Sequence, residues 1–195
     1  MATRPTISTT RLLFTGCLLA GTIISGTTVA ADTATTASPT SDALAQAGFA
    51  RFKALDGTWL AESSRGWKET TTFRVMARGS VVLDLTEFAD APEDAMPTVY
   101  YLDGGRLLLD HYCMAGNQPR MVATEIADEG ARVTFTFLEG TGMASRDQGH
   151  MDKAEFHFRD DGTFTSKWTW YQDGQEKWLE DVTHTRIESA DAGGD

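Results

Sequence analysis

The residues with most to offer chemically come in pairs two apart. His111 and Cys113 are one pair, His150 and Asp152 another, Trp168 and Trp170 a third. Residues two apart in a strand share a face, so each pair would look into one space. Imidazole, thiolate and carboxylate are metal ligands, and a thiol beside an imidazole is a nucleophile with its base. The same imidazoles, joined by indoles and by Asn117, Gln118 and Arg120, can enclose and orient a small molecule. Geometry separates these options. About 6.6 Å of strand rise lies between His150 and Asp152, so a shared ion needs a further ligand from a neighbouring strand. The same rise puts His111 out of hydrogen-bond reach of Cys113, which would need His150 as its base. No His-Glu-x-x-His, paired Cys-x-x-Cys or glycine-rich phosphate cradle occurs. Asp152 is the acid whose pKa burial would raise, whereas Asp160-Asp161 and Glu180-Asp181 read as solvated.

Positioning such pairs requires strands, and the sequence supplies them. Ser41 or Asp42 can cap a helix whose apolar residues Leu44, Ala47, Phe49, Phe52 and Leu55 end at Asp56-Gly57. After Gly57 the period becomes two. Thr71, Phe73 and Val75 alternate with polar neighbours, and so do Val133, Phe135 and Phe137. Turn signals at Arg78-Gly79, Asp103-Gly104-Gly105, Glu129-Gly130, Asp161-Gly162 and Asp173-Gly174 punctuate about ten strands. The expected spans are 58–64, 68–77, 80–88, 97–102, 106–114, 120–127, 131–138, 150–159, 163–171 and 176–187, with 91–96 a loop. Short connections make neighbours antiparallel, and closure removes exposed edges. The expected fold is all-β: an antiparallel up-and-down barrel of about ten strands with one short N-terminal helix. Alternation turns Leu107, Leu109, His111 and Cys113 inward, and likewise His150, Asp152, Ala154, Phe156 and Phe158. Trp178, Val182 and His184 would share that space unless a bulge reverses them.

Gly57-Thr58-Trp59 after a short helix, with Arg186 near the end of the last strand, resembles the lipocalin-like (calycin) barrels. That resemblance implies that Trp59 packs against Arg186 and closes one end, an arrangement cation–π attraction favours. The chain is also similar to uncharacterised secreted bacterial domains of this class. The similarity rests on Leu109-Asp110-His111-Tyr112-Cys113, Gly116-Asn117-Gln118-Pro119-Arg120, His150-Met151-Asp152 and Trp168-Thr169-Trp170-Tyr171, and it implies a fold without an activity. Some calycin-like barrels of the nitrobindin type bind haem through a histidine near the last strand, a place His184 would take. Those proteins open with Gly-x-Trp-x-Gly-x-Gly, and Gly57-Thr58-Trp59-Leu60-Ala61-Glu62-Ser63 lacks both later glycines.

Composition bounds the rest. Seventeen Lys and Arg against 28 Asp and Glu give a net charge of −11 over 195 residues, which disfavours nucleic-acid binding. At 41% hydrophobic and 10% aromatic, the chain has too much apolar material for disorder. Arg4 and Arg11, the apolar run Leu12 to Ile24 and the small residues up to Ala31 read as a signal peptide over 1–31. That run is broken by Thr15, Gly16, Gly21 and Thr22 and is too short for a stable membrane anchor. Cleavage would remove Cys17 and leave Cys113 without an intrachain partner, so the core must hold the fold. Residues 32–41 read as a flexible linker, 42–188 as the barrel domain and 189–195 as a disordered tail. The reading is a periplasmic or secreted protein, monomer or weak homodimer, that binds a small lipophilic or amphipathic molecule and needs no cofactor. The ligand-touching residues are His111, Cys113, Asn117, Gln118, Arg120, His150, Asp152, Trp168 and Trp170, with Trp59 and Arg186 as barrel closure. The alternatives are a haem- or metal-binding barrel, a hydrolase using His111, His150 and Cys113, and a purely structural module.

Overall fold

The computed structural model describes residues 41–187. The expected signal peptide, all but the last residue of the expected linker, and the expected tail lie outside the described residues. Ser41, that last linker residue, is already helical. One helix, α1 (Ser41–Ala54), precedes ten strands. They are β1 (Gly57–Ser63), β2 (Lys68–Met76), β3 (Val81–Phe88), β4 (Ala91–Asp103), β5 (Arg106–His111), β6 (Gln118–Ala127), β7 (Arg132–Thr141), β8 (His150–Phe158), β9 (Phe164–Gln172) and β10 (Gln175–Arg186). Each strand pairs antiparallel with the next, and β1 pairs with β10, closing the barrel.

The period of two has its expected cause. Val82, Tyr100, Leu107, Leu109, Val133, Phe135, Phe156 and Phe164 are buried and form one apolar core with α1. The helix joins that core through Phe52, which stacks on Tyr100 with ring centroids 4.2 Å apart and meets the edges of Phe135, Phe156 and Phe158. It therefore plugs the barrel at the end where β1 begins. Gly130, at φ +86°, lets the β6–β7 turn approach the helix so closely that a Cβ would stand 2.7 Å from the Ala47 backbone. Trp59 and Arg186 are direct cross-strand partners. The Arg186 guanidinium lies 4.3 Å from the Trp59 ring and donates to the carbonyls of Ala54 and Asp56, the open C-terminal end of α1.

Several strand bounds differ from the sequence expectation, β7 running on to Thr141 among them, and two of the differences bear on the site. Residues 91–96 are not a loop but the first half of β4, with Phe88 opposite Ala91 and Thr86 opposite Met96. The two strands carry unequal numbers of residues between these pairs, and the surplus is taken up as an irregularity in the ladder instead of a longer loop. Strand β5 ends at His111, short of the expected 114. Tyr112 and Cys113 still bond backbone to backbone, to Pro97 and Asn117, which keeps Cys113 on the alternation. Among the described residues no helix is long and apolar enough to cross a membrane.

Candidate functional site

Beyond the helical plug the barrel is hollow. A cavity of about 460 Å³ occupies the end bounded by the β1–β2, β3–β4, β5–β6 and β9–β10 hairpins. Its wall is largely aromatic and apolar: Phe73, Phe88, Phe156, Phe164, Trp168, Trp170, Met151 and Val182. Trp67 and Met114 lie at its rim, both exposed, with Trp67 stacked on Phe88 at 5.3 Å.

Of the residues named from the sequence, His111, Cys113, Trp168 and Trp170 line this space. His111 stands opposite Thr98 in the β4–β5 ladder, and its Nδ1 is 2.9 Å from the Thr98 hydroxyl. Its Nε2 has no hydrogen-bond partner among the described residues, and Trp168 packs 5.0 Å from its ring. His184, left open by the sequence, also faces inward. The irregularity in β10 lies between Trp178 and Glu180, upstream of it, so Val182 and His184 keep their inward phase. Its Nε2 is 3.0 Å from the Ser166 hydroxyl, and Nδ1 has no partner among the described residues. Burial pushes both imidazoles down, His111 to about 4 and His184 to about 3, so both are neutral near pH 7. Burial likewise pushes the Cys113 thiol up, and no hydrogen bond joins it to a histidine among the described residues. That environment keeps it a thiol, not the thiolate a nucleophile needs.

His150 and Asp152 do not join them. Strand β8 carries a bulge, since Met151 faces Trp170 and Lys153 faces Thr169, leaving Asp152 as the extra residue. Towards the mouth the alternation is therefore inverted: Met151 looks into the cavity and His150 looks out. There His150 is fully buried in a separate cluster built around Arg146, which the sequence reading did not single out. The Arg146 guanidinium lies over the rings of Phe137 and Tyr171, pairs with Asp152 Oδ1 at 2.5 Å and reaches His150 Nε2 at 2.6 Å. An arginine only donates, so His150 Nε2 is the acceptor and its Nδ1–H donates to the Gln148 carbonyl. This is a latch for the β7–β8 loop. Asn117 donates to the Gly149 carbonyl at 2.8 Å and ties the β5–β6 hairpin to the same loop. Gln118 accepts from Thr141, and Arg120 forms a bidentate pair with Asp110 and a single one with Glu139. None of Asn117, Gln118, Arg120, His150 and Asp152 is among the cavity lining.

The carboxylates of the cavity are others: Glu69, Asp84 and Glu180. Glu180, read from sequence as solvated, is buried and accepts from Ser63 Oγ and, at 2.5 Å, from Trp67 Nε1. Asp84 is 6% exposed, and its hydrogen-bond partners among the described residues are the hydroxyls of Tyr100 and Thr86, at 3.3 and 3.4 Å. Burial, reinforced by the charge of Glu69, pushes Asp84 up to about 7. Burial, reinforced by Glu180, does the same for Glu69. Parity was the available signal. Glu69 shares the phase of Phe73, Asp84 that of Val82 and Phe88, and Glu180 that of Val182 and His184.

Among the described residues no group of three or more His, Cys, Asp and Glu side chains is placed to hold a metal ion. The His184 ring is stacked flat on Phe164 at 4.0 Å and its Nε2 is engaged by Ser166.

No family model and no curated protein matches the sequence. Solved structures do match. One is a protein of unknown function from the DUF3598 family of Nostoc punctiforme, with a TM-score of 0.46 at 14% identity, covering 70% of this chain and 49% of that one. The chain thus spans about half the length of that structure. The molecule is a closed ten-stranded antiparallel β-barrel.

Proposed function

We propose that this is an exported, lipocalin-like barrel that binds a small, partly apolar molecule non-covalently in its lumen. The observation that carries the reading is the cavity of about 460 Å³, which falls within the ~300–1,000 Å³ of small-molecule sites. Aromatic walls supply affinity, and a few polar groups, His111, Cys113 and the hydroxyls of Thr98 and Ser166, supply orientation. A structural module would fill this volume with side chains, as the helix end of the barrel is filled. Export to the periplasm or beyond rests on the basic and apolar pattern of residues 1–31. The protein acts as a monomer or weak homodimer.

Native mass spectrometry of the purified protein, before and after solvent extraction, is expected to reveal a co-purifying molecule. Tryptophan fluorescence should respond to lipophilic compounds, because Trp67, Trp168 and Trp170 line the cavity. His111→Ala is expected to weaken binding by ~10-fold with an unchanged circular dichroism spectrum. No adduct and no fluorescence response would refute the reading, and an unfolded His111→Ala would assign that histidine to structure.

A further inference from the structure

We propose that the occupant of the lumen carries a cationic nitrogen, a protonated or quaternary amine on an apolar body; this rests on the binding reading above. The lining holds three carboxylates, Glu69, Asp84 and Glu180, and no lysine or arginine. None of the three has an ion-pair partner among the described residues. An uncompensated buried acid is costly, and Asp84 has only two long contacts from hydroxyls to offset that cost. Its deficit is of the sign that an ammonium group removes.

Two independent features point the same way. His111 is 4% exposed, and its Nε2 is an unpartnered polar atom in the cavity wall. In the tautomer whose Nδ1–H donates to Thr98, that Nε2 is an acceptor suited to an ammonium N–H. The indoles of Trp67 and Trp168 also belong to the lining, and tryptophan faces attract cations more strongly than other side chains do. The remaining titratable groups on this face do not reverse the balance. His111 and His184 are kept neutral by burial, and Tyr100 serves as a donor to Asp84. The formal charge of the lumen is negative or zero at any pH near neutrality.

Four probes with one chain length separate the possibilities: dodecyltrimethylammonium, dodecylamine, dodecanol and dodecanoate. Each is titrated into the full protein at pH 8 below its micelle concentration, with tryptophan fluorescence as readout. The two cations are expected to bind at least ~10-fold tighter than dodecanol, with dodecanoate weakest. Their affinity should also rise from pH 6 to pH 8, as Glu69 and Asp84 ionise. The double variant Glu69→Gln/Asp84→Asn, checked for folding by circular dichroism, should bring the four affinities within ~3-fold of one another. Glu69→Gln alone serves if the double variant does not fold, and should narrow the preference in the same direction. Dodecanol or dodecanoate binding as tightly as the amines would overturn the cationic assignment and leave the binding reading standing. Failure of all four to bind would overturn both.

Discussion

Asp84 sits inside the barrel with two long hydrogen bonds and no ion-pair partner among the described residues. Its proton is held to about pH 7 in the folded protein, whereas the unfolded chain releases it near 3.8, the ordinary value for an aspartate. Between those values the folded state binds more protons, so this residue's share of stability falls as pH rises, and its full cost is present above about pH 7. Asp84→Asn is therefore expected to be more stable than the parent by roughly 2–4 kcal/mol at pH 8, the two converging near pH 4. Urea midpoints at the two pH values measure this, and an unchanged difference between them would contradict the assignment. His111 and His184 act with the opposite sign. The unfolded chain takes up their protons near pH 6.5 and the folded protein only near 4 and 3, so their share is lost as pH falls through that window. At this scale parity read the strand faces where the ladder is regular, and failed for His150 and Asp152 beside the bulge in β8. Alternation placed His111, Cys113, Trp168 and Trp170 correctly on the lumen face. The same rule applied to Glu69, Asp84 and Glu180 would have found the acids, but a charged residue in an alternating strand is ordinarily taken to mark the outside.

The elements themselves were legible because each strand has one buried face and the turns between them need glycine or a positive φ. Ala77, Arg78 and Gly79 all have positive φ, as do Asp128, Glu129 and Gly130, where the sequence had shown Arg-Gly and Glu-Gly signals. What alternation could not register is a place where the ladder gains a residue. The bulge at Asp152 is such a place, and it moves His150 from the lumen to the latch without changing the pattern of residue types. Arg146→Ala is expected to free the β7–β8 loop. Hydrogen exchange of residues 142–149 should speed up while that of β8 beyond Lys153 stays slow, and unchanged exchange in the loop would remove the latch from the account. The plug offers a second check. Gly130→Ala places a methyl group against the Ala47 backbone at a backbone angle alanine disfavours, and should cost about 2–4 kcal/mol in chemical denaturation. If it is tolerated, the helix has room to move and does not seal that end.

Closure of β1 onto β10 makes the barrel a single cooperative body. The first and last strands meet where Arg186 covers Trp59 and caps α1. Arg186→Ala is expected to cost about 2 kcal/mol and to lower Tm by about 4–8 °C. Circular dichroism and tryptophan fluorescence should report one coincident transition; two separated transitions would show that the seam is not part of the common core. The ten-stranded closed topology was recoverable from strand count, edge avoidance and the single N-terminal helix, whereas the hollow was not, since periodicity says which side chains face inward and nothing of how much space they leave. Because the helix stoppers one end, the tube is a cul-de-sac. Under the binding function proposed above, anything that enters the lumen would leave by the mouth it came in by, and rival compounds are expected to exclude each other one for one.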